Sequence, residues 1–134
     1  MNRVLESVGF GVRHNIEVMR KEGATPKHIL AVGGGTSNPI WLQIVSDIAD
    51  IEQHVIQQRL GASYGDAFLA GVGVGLFAGT AEAARWARVE RVVRPQPEVR
   101  GLYDERYRIF RKLYTDTAPL MNQLGVQSDK KKYN

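Results

Sequence analysis

The architecture of this chain turns on residues 28–50, which read HILAVGGGTSNPIWLQIVSDIAD. The first part, His28 to Gly33, is a short apolar run whose Ile and Val content favours a buried strand over a helix. The run is stopped by three glycines, Gly33 to Gly35. Asn38 then suits the N-cap of a helix and Pro39 its first position, and apolar residues at three- and four-residue steps continue that helix. The stretch predicts a strand, a tight turn and a helix in succession.

Segments on both sides extend this pattern. Upstream, apolar residues at three- and four-residue steps predict a helix from about Asn2 to Glu22, which Gly23 is placed to end. Downstream, the sequence predicts in turn a strand at Gln53–Gln57, a helix at Tyr64–Ala78, a helix at Ala81–Ala87 capped by Thr80, an extended segment at Val89–Arg94, and a helix at Leu102–Gln123 that Pro119 kinks or interrupts. This order of helices and short strands describes an α/β layer structure.

Length and composition are those of one ordinary globular domain. The chain has 134 residues, of which 43% are hydrophobic and 24% charged, and no segment reads as a linker between two domains. It contains no cysteine, so disulfides and thiolate chemistry are excluded. The N-terminus lacks a signal-peptide pattern, and the longest uncharged stretch, of about 15 residues, is shorter than the roughly 20 needed to span a bilayer. We therefore expect a cytoplasmic protein without membrane contact.

The glycine turn is the feature with the clearest chemical potential. Glycines let a backbone approach a ligand closely, and the N–H groups at the start of the following helix favour an anion. Such a turn at the end of a strand is where an α/β fold holds a nucleotide. The run GGGTSN matches neither the G-x-G-x-x-G pattern nor a Walker A loop, so a tight turn without a ligand is an equally good interpretation of the residues alone.

Three longer segments carry a resemblance to a known family, the FGGY carbohydrate kinases. LAVGGGTSNPIWLQIVSDIAD resembles the adenosine-binding segment of that family, and GASYGDAFLAGVGVG resembles its next helix, with a leaning towards the xylulokinase branch. YDERYRIFRKLY is similar to the family's C-terminal helix. The resemblance runs from about Val4 to Gly125.

The resemblance implies a fold and a site. The family has an actin-like, ribonuclease H-like ATPase architecture in two domains, with ATP and sugar between them. This chain resembles only part of the C-terminal, nucleotide-side domain, so we expect a helix-rich α/β unit with a short sheet at residues 1–125 and a polar tail at 126–134. The residues that the resemblance assigns to the ATP site are Gly33, Gly34, Gly35 and Asn38, with Ala62 to Gly65 bordering the adenine.

The implied reaction is transfer of the ATP γ-phosphoryl group, with Mg²⁺, to a hydroxyl of a sugar or polyol. This chain would supply part of the ATP site, whereas the sugar pocket and the catalytic aspartate of the family lie outside the matched segment. We therefore expect the chain to be inactive alone, and we assign no catalytic residue. The carboxylates considered and set aside as helix-surface or capping groups are Asp47, Asp50 and Asp66.

Other classes of function have less support. His14, His28 and His54 lack metal-ligand spacing, so no metal site is expected. The formal net charge of +4 permits nucleic-acid binding, but acidic residues are interleaved with the basic ones, as on a solvated face. The alternative that we retain is a non-catalytic, oligomerising domain, because a domain separated from its partner exposes apolar faces that a second copy can cover.

Overall fold

A three-stranded sheet with helices packed on one face organises the chain. A computed structural model describes residues 3–57, 62–83 and 88–130, except for the side chains of residues 62, 64 and 125–130. Its helices and strands are α1 (Arg3–Lys21), β1 (His28–Ala31), α2 (Pro39–Ala49), β2 (Glu52–Ile56), α3 (Ala62–Gly73), β3 (Val89–Val93) and α4 (Arg100–Lys130). Short 3₁₀ turns lie at Gly34–Ser37, Thr80–Glu82 and Pro97–Val99. None of the helices within these ranges is long and apolar enough to cross a membrane.

The sheet has the order β1-β2-β3. β1 pairs with β2 in parallel, and β2 pairs with β3 in antiparallel fashion, with an irregularity between Val55 and Ile56. Side chains that alternate along a strand point to opposite faces, and in β2 both Gln53 and Val55 are buried. The two predicted strands are thus confirmed, and the extended segment at Val89–Arg94 is the third strand of the same sheet.

α1 packs closely on α2 at a glycine. A Cβ atom placed on Gly9 would lie 2.8 Å from Cδ1 of Ile48, a side chain with no exposed surface. Two turns further on, Ile16 is buried with Ala49 and Ile51. Because Gly9 has no side chain, Ile48 of α2 packs directly against the backbone of α1 here.

α1 also packs against α4, through aromatic rings and a polar cluster. The ring of Phe10 lies 5.5 Å from that of Phe110 and 6.2 Å from that of Tyr107, between centroids. Beside them, the Arg13 guanidinium lies 4.3 Å from the centre of the Tyr107 ring and 2.7 Å from Oδ1 of Asp104. Burial raises the pKa of the Tyr107 hydroxyl, which donates to Oε2 of Glu17 at 3.0 Å. α1 and the first third of α4 are therefore joined by both apolar and polar contacts.

A buried polar network joins α2 to two strands. The Gln53 amide donates to the carbonyl of Leu42 and, at 2.8 Å, to Oγ of Ser46. The Ser46 hydroxyl donates in turn to the carbonyl of Val93 at 3.2 Å. Buried polar groups are costly unless they are hydrogen-bonded, so this network fixes α2 at a defined position above β2 and β3.

α3 ends earlier than the sequence predicts, at Gly73 instead of Ala78. Gly75 has a φ of +76°, its N–H donates to the carbonyl of Val72, and the N–H of Leu76 donates to that of Gly71. This Schellman arrangement stops a helix, so the prediction was wrong by five residues. Gly71 is a packing position, since a Cβ there would lie within 2.7 Å of the Phe77 ring.

The last two predicted helices also differ from the structure. Thr80 is the first residue of a 3₁₀ turn whose N-cap is Gly79, so no α-helix begins at Ala81, and residues 84–87 of the predicted helix lie outside the described residues. α4 extends beyond the predicted bounds and contains Pro119 without interruption. Residues 126–130 of the predicted tail continue this helix and residues 131–134 lie outside the described residues, so the boundary at 125 stays a prediction.

Candidate functional site

The glycine turn connects the end of β1 to the start of α2. Gly33 has φ +85° and ψ −175°, a conformation open essentially only to glycine, and it turns the chain out of the strand. The 3₁₀ helix Gly34–Ser37 follows, and α2 begins at Pro39. The predicted order of strand, turn and helix is confirmed, and Gly33 is the residue that makes the sharp change of direction possible.

Internal hydrogen bonds hold the turn in one shape. The buried Thr36 side chain donates to the carbonyl of Gly33 at 2.8 Å, and the Thr36 N–H donates to the same oxygen at 3.1 Å. The N–H of Asn38 donates to the carbonyl of Gly35 at 3.1 Å. These hydrogen bonds hold the backbone of the turn in one conformation, with its outer side in a fixed orientation.

Asn38 occupies the N-cap of α2, as predicted. Its side-chain Oδ1 accepts hydrogen bonds from the N–H groups of Ile40 and Trp41 at 3.1 and 3.2 Å. Its backbone carbonyl accepts a hydrogen bond from the N–H of Leu42. Pro39 has no N–H to offer. The first-turn donors of α2 are consequently all used within the protein, so the expectation that they are free to bind an anion is wrong.

The outer side of the turn is open. A Cβ atom added to Gly33 or Gly34 would meet no atom within 4 Å, whereas one on Gly35 would lie 3.4 Å from Nε1 of Trp41. A recess of about 250 Å³ borders the turn at Gly35 and Thr36. Its remaining lining is mainly apolar, from Val12, Ile29, Leu30, Ala31, Val32, Trp41, Leu42, Val45 and Gln53. The turn thus offers a ligand bare backbone and an apolar surface beside it.

Arg91 contacts the glycine turn, which the sequence did not predict. Its Nη2 donates to the carbonyl of Thr36 at 2.8 Å, which brings a positive charge from β3 to the turn. The contact joins residues 55 positions apart, so no local motif predicts it. The register of β3 on β2, which places Arg91 opposite Val55, is what brings the side chain within reach.

The segment Ala62 to Gly65, which the resemblance assigns to the adenine side, forms the start of α3, two residues before the predicted start at Tyr64. Gly65 is exposed, and a Cβ there would meet no atom within 4 Å. The side chains of Ala62 and Tyr64 lie outside the described residues. The assignment of this segment to the adenine side stays a prediction.

The carboxylates set aside by sequence have structural partners. Asp47 is buried, and its Oδ1 accepts from the Gln43 side chain and from the N–H of Gln96, both at 2.8 Å. Asp50 ends α2 in a left-handed conformation and forms an ion pair with Arg100. Asp50 is therefore a capping residue as predicted, whereas Asp47 is buried under the segment that contains Gln96, so its prediction as a helix-surface or capping group is wrong.

Two stacked histidines, a glutamate and an arginine lie together on the open face of the sheet. His28 and His54 stack at 4.1 Å between centroids, and Glu52 accepts from His54 at 3.1 Å and from Arg94 at 2.9 Å. The His54 bond, followed by that from Arg94, lowers the pKa of Glu52. Within the described ranges, no group of three or more His, Asp or Glu side chains could hold a metal ion.

The chain is similar in sequence to known carbohydrate kinases. The profile of the FGGY family of carbohydrate kinases, C-terminal domain, matches residues 1–74. The chain is 30% identical over 123 residues to the xylulose kinase of Staphylococcus epidermidis, covering 90% of this chain and 25% of the kinase. It is 31% identical over 130 residues to that of Lactococcus lactis subsp. lactis, covering 94% and 26%. The chain spans about a quarter of the length of the curated relatives it matches.

Solved structures give the same result for the fold. The chain superposes on the xylulose kinase from Rhodospirillum rubrum with a TM-score of 0.72 and 29% identity, over 88% of this chain and 24% of that one. It superposes on Plasmodium falciparum glycerol kinase with ADP with a TM-score of 0.63 and 21% identity, over 84% and 23%. The predicted fold class, a helix-rich α/β part of an actin-like ATPase domain with a short sheet, is confirmed.

Proposed function

This chain belongs to the FGGY family of carbohydrate kinases, and from that premise we propose that it serves an enzyme that phosphorylates a sugar or polyol hydroxyl with ATP. The profile match over residues 1–74 is the observation that carries the proposal, because it includes the glycine turn. Relatives named xylulose kinase favour xylulose as the substrate. The proposal places the enzyme in the cytoplasm, with ATP, ADP and a sugar as partners, and without nucleic acid or membrane.

The role proposed for this chain is one wall of the nucleotide site, formed by Gly33, Gly34, Gly35 and Asn38. Two observations support a nucleoside over a phosphate as the group contacted here. The N–H donors at the start of α2 are already occupied by Asn38, and the recess beside the turn is mainly apolar. A nucleobase ring packs on an apolar surface, whereas a phosphate needs free donors or cations.

Phosphoryl chemistry belongs to another part of the enzyme under this proposal. Mg²⁺ binds carboxylate and phosphate oxygens, and the described residues bring together no acidic cluster for it. When bound, MgATP supplies the phosphoryl group and the charge neutralisation for transfer. The turn would orient the nucleoside, with Gly34 allowing close approach, and Arg91 would hold the turn in place through Thr36.

The isolated chain is proposed to have no sugar-kinase activity. Phosphoryl transfer depends on positioning and charge stabilisation across a closed site, and this chain supplies one wall of it. The pure chain, incubated with MgATP and D-xylulose, should form no xylulose phosphate. Clear ATP-dependent phosphorylation of D-xylulose by the pure chain would overturn this part of the proposal.

Nucleotide binding by the turn can be tested by nuclear magnetic resonance, which detects weak complexes. Adding ADP or adenosine should shift the backbone amide signals of residues 33–38, and adding inorganic phosphate should not. Gly34→Val should abolish the shifts without lowering the melting temperature, because its side chain enters open space in front of the turn. Gly101→Val, at another open helix start, is the matched control and should retain them. Shifts confined to other residues, or none at all, would refute the site.

The second candidate function is a non-catalytic, oligomerising domain. The observation that favours it is a row of exposed apolar side chains on α4, which includes Leu113, Leu120 and Leu124. Such surfaces mark association sites in water-soluble proteins. This candidate and the kinase proposal are compatible, since the nucleotide turn and the α4 surface share no residue.

A further inference from the structure

A recess lies between α1 and α4, and it shares no residue with the glycine turn. Its volume is about 330 Å³, at the lower end of the range of sites that bind small molecules. Each helix contributes positions three and four residues apart, which lie on one side of a helix. We name it the Arg111 recess, and it is lined by Gly11, His14 and Asn15 of α1 and by Phe110, Arg111 and Tyr114 of α4.

Gly11 leaves the space of this recess open. A Cβ atom on Gly11 would meet no atom within 4 Å, although the residue lies in the middle of α1. A glycine inside a helix weakens the helix, so its presence calls for a reason. At Gly9 the reason is the contact with Ile48, whereas no described atom packs in front of Gly11. The space in front of Gly11 belongs to the Arg111 recess, and the missing side chain keeps it free for a ligand.

Arg111 gives the recess a positive charge and hydrogen-bond donors. Its Nη1 lies 3.1 Å from Nδ1 of His14. A guanidinium only donates, so this His14 nitrogen accepts, and the ring proton is on Nε2. No ion pair joins the Arg111 side chain to a carboxylate among the described residues, so several of its N–H groups stay available. The side chains of Asn15 and Tyr114 likewise have no hydrogen-bond partner in the described part of the chain.

The carboxylates of the polar cluster between α1 and α4 are already paired. Asp104 pairs with Arg13 at 2.7 Å and with Arg100 at 3.8 Å. Glu17 pairs with Arg13 at 3.1 Å. Two carboxylates thus face two guanidinium groups in this cluster, and no described residue compensates the positive charge of Arg111. An anion in the recess would supply the missing negative charge.

We propose that the Arg111 recess binds a small organic anion that carries a single carboxylate on an apolar ring. A carboxylate can accept two parallel hydrogen bonds from a guanidinium, which makes Arg well suited to bind it. The rings of Phe110 and Tyr114 offer the apolar part of the ligand an aromatic surface. A phosphate monoester carries about −1.5 to −2 charges, more than the one uncompensated cation balances. The recess thus favours a monocarboxylate over a phosphate, and binding there requires no kinase activity.

Titration of the 134-residue chain with sodium benzoate, followed by nuclear magnetic resonance, tests the proposal. The backbone amide signals of residues 11–15 and 110–114 should shift, with a dissociation constant on the order of 1 mM. Benzamide, which has the same ring without the charge, and inorganic phosphate at the same ionic strength should each bind about tenfold more weakly. No shift of these signals with benzoate, or equal affinity for benzamide or phosphate, would overturn the proposal.

A substitution of Arg111 tests the charge of the recess. Arg111→Gln should raise the dissociation constant for benzoate about tenfold, because the charged hydrogen bonds to the carboxylate are lost. Arg108→Gln is the matched control, since it removes the same charge from α4 one turn away and outside the recess. Equal losses of affinity in the two variants would show a general effect of charge and would overturn the site.

A substitution of Gly11 tests the space of the recess. Gly11→Leu should fill it and abolish the shifts caused by benzoate, while Gly101→Leu, at another position with open space, should retain them. Circular dichroism verifies that each variant is folded. Unchanged benzoate binding by Gly11→Leu would refute the recess as the site. None of the substituted residues lies in the glycine turn, so failure here is distinguishable from failure of the kinase proposal.

Discussion

The contact between α1 and α2 at Gly9 gives a prediction that can be worked out atom by atom. Replacing a helical glycine by alanine ordinarily stabilises a helix by roughly 0.5–1 kcal/mol. At Gly11, where a new Cβ would meet no atom within 4 Å, we expect that full gain. At Gly9 the Cβ would lie 2.8 Å from Cδ1 of Ile48, whereas carbon atoms pack best at about 3.5–4.0 Å. Overpacking of this kind costs about 1–3 kcal/mol, so Gly9→Ala should be less stable than Gly11→Ala by that amount.

Ile48→Val makes the prediction sharper, because it removes the one methyl group that causes the clash. The other atoms near the new Cβ, Cγ2 of Ile44 and Cβ of Ile48, lie at 3.7 Å and cause no strain. Ile48→Val alone should cost about 0.5–1.5 kcal/mol. In that background, however, Gly9→Ala should become stabilising, as at Gly11. Urea denaturation of the wild type, Gly9→Ala, Ile48→Val and the double variant, followed by circular dichroism, measures the coupling free energy between the two substitutions. Equal stabilities for Gly9→Ala and Gly11→Ala in the wild-type background would refute the close approach of α1 and α2.

Two further outcomes follow from other parts of the structure. Gly33→Ala should lower the free energy of unfolding by about 1–3 kcal/mol, because a φ of +85° strains any other residue. Gly34→Ala should stay within about 0.5 kcal/mol of wild type. Urea denaturation measures both, and equal losses would contradict the backbone conformation of Gly33. Burial raises the pKa of Tyr103 and Tyr107 above the ordinary 10.0, so their contribution is fully present below about pH 10 and is lost as the pH rises through the folded-state pKa. Replacing both by Phe should flatten that alkaline loss of stability, and an unchanged pH profile would exclude these phenols as its source.

Much of the fold was predictable because its signals are local. The three- and four-residue spacing of apolar residues located α1 and α2, and the Ile and Val content of short runs located β1 and β2. Asn38 followed by Pro39 predicted the start of α2 to the residue. These features depend on neighbours along the chain, which a sequence displays directly.

The remainder depends on contacts between distant residues. The position of β3 in the sheet follows from pairing with β2, and the contact of Arg91 with Thr36 follows from that pairing. The end of α3 depended on whether Gly75 adopts a positive φ, and the glycines around it gave no sign of which one would. Residue types alone also suggested free donors at the start of α2, although the same Asn38 that begins the helix occupies them.

The contacts between α1 and α4 have a consequence for the folding of the chain during its synthesis on the ribosome. Glu6 of α1 and Arg106 of α4 are 100 positions apart in the sequence. The Phe10 ring of α1 likewise packs on Tyr107 of α4, which is synthesised much later. At synthesis rates of roughly 5–20 residues per second, that interval lasts on the order of 5–20 seconds. Throughout it, α1 can cover only the side that faces α2. The nascent chain therefore carries a Phe10 side chain that only α2 covers for many seconds, and the core is completed after α4 has been synthesised.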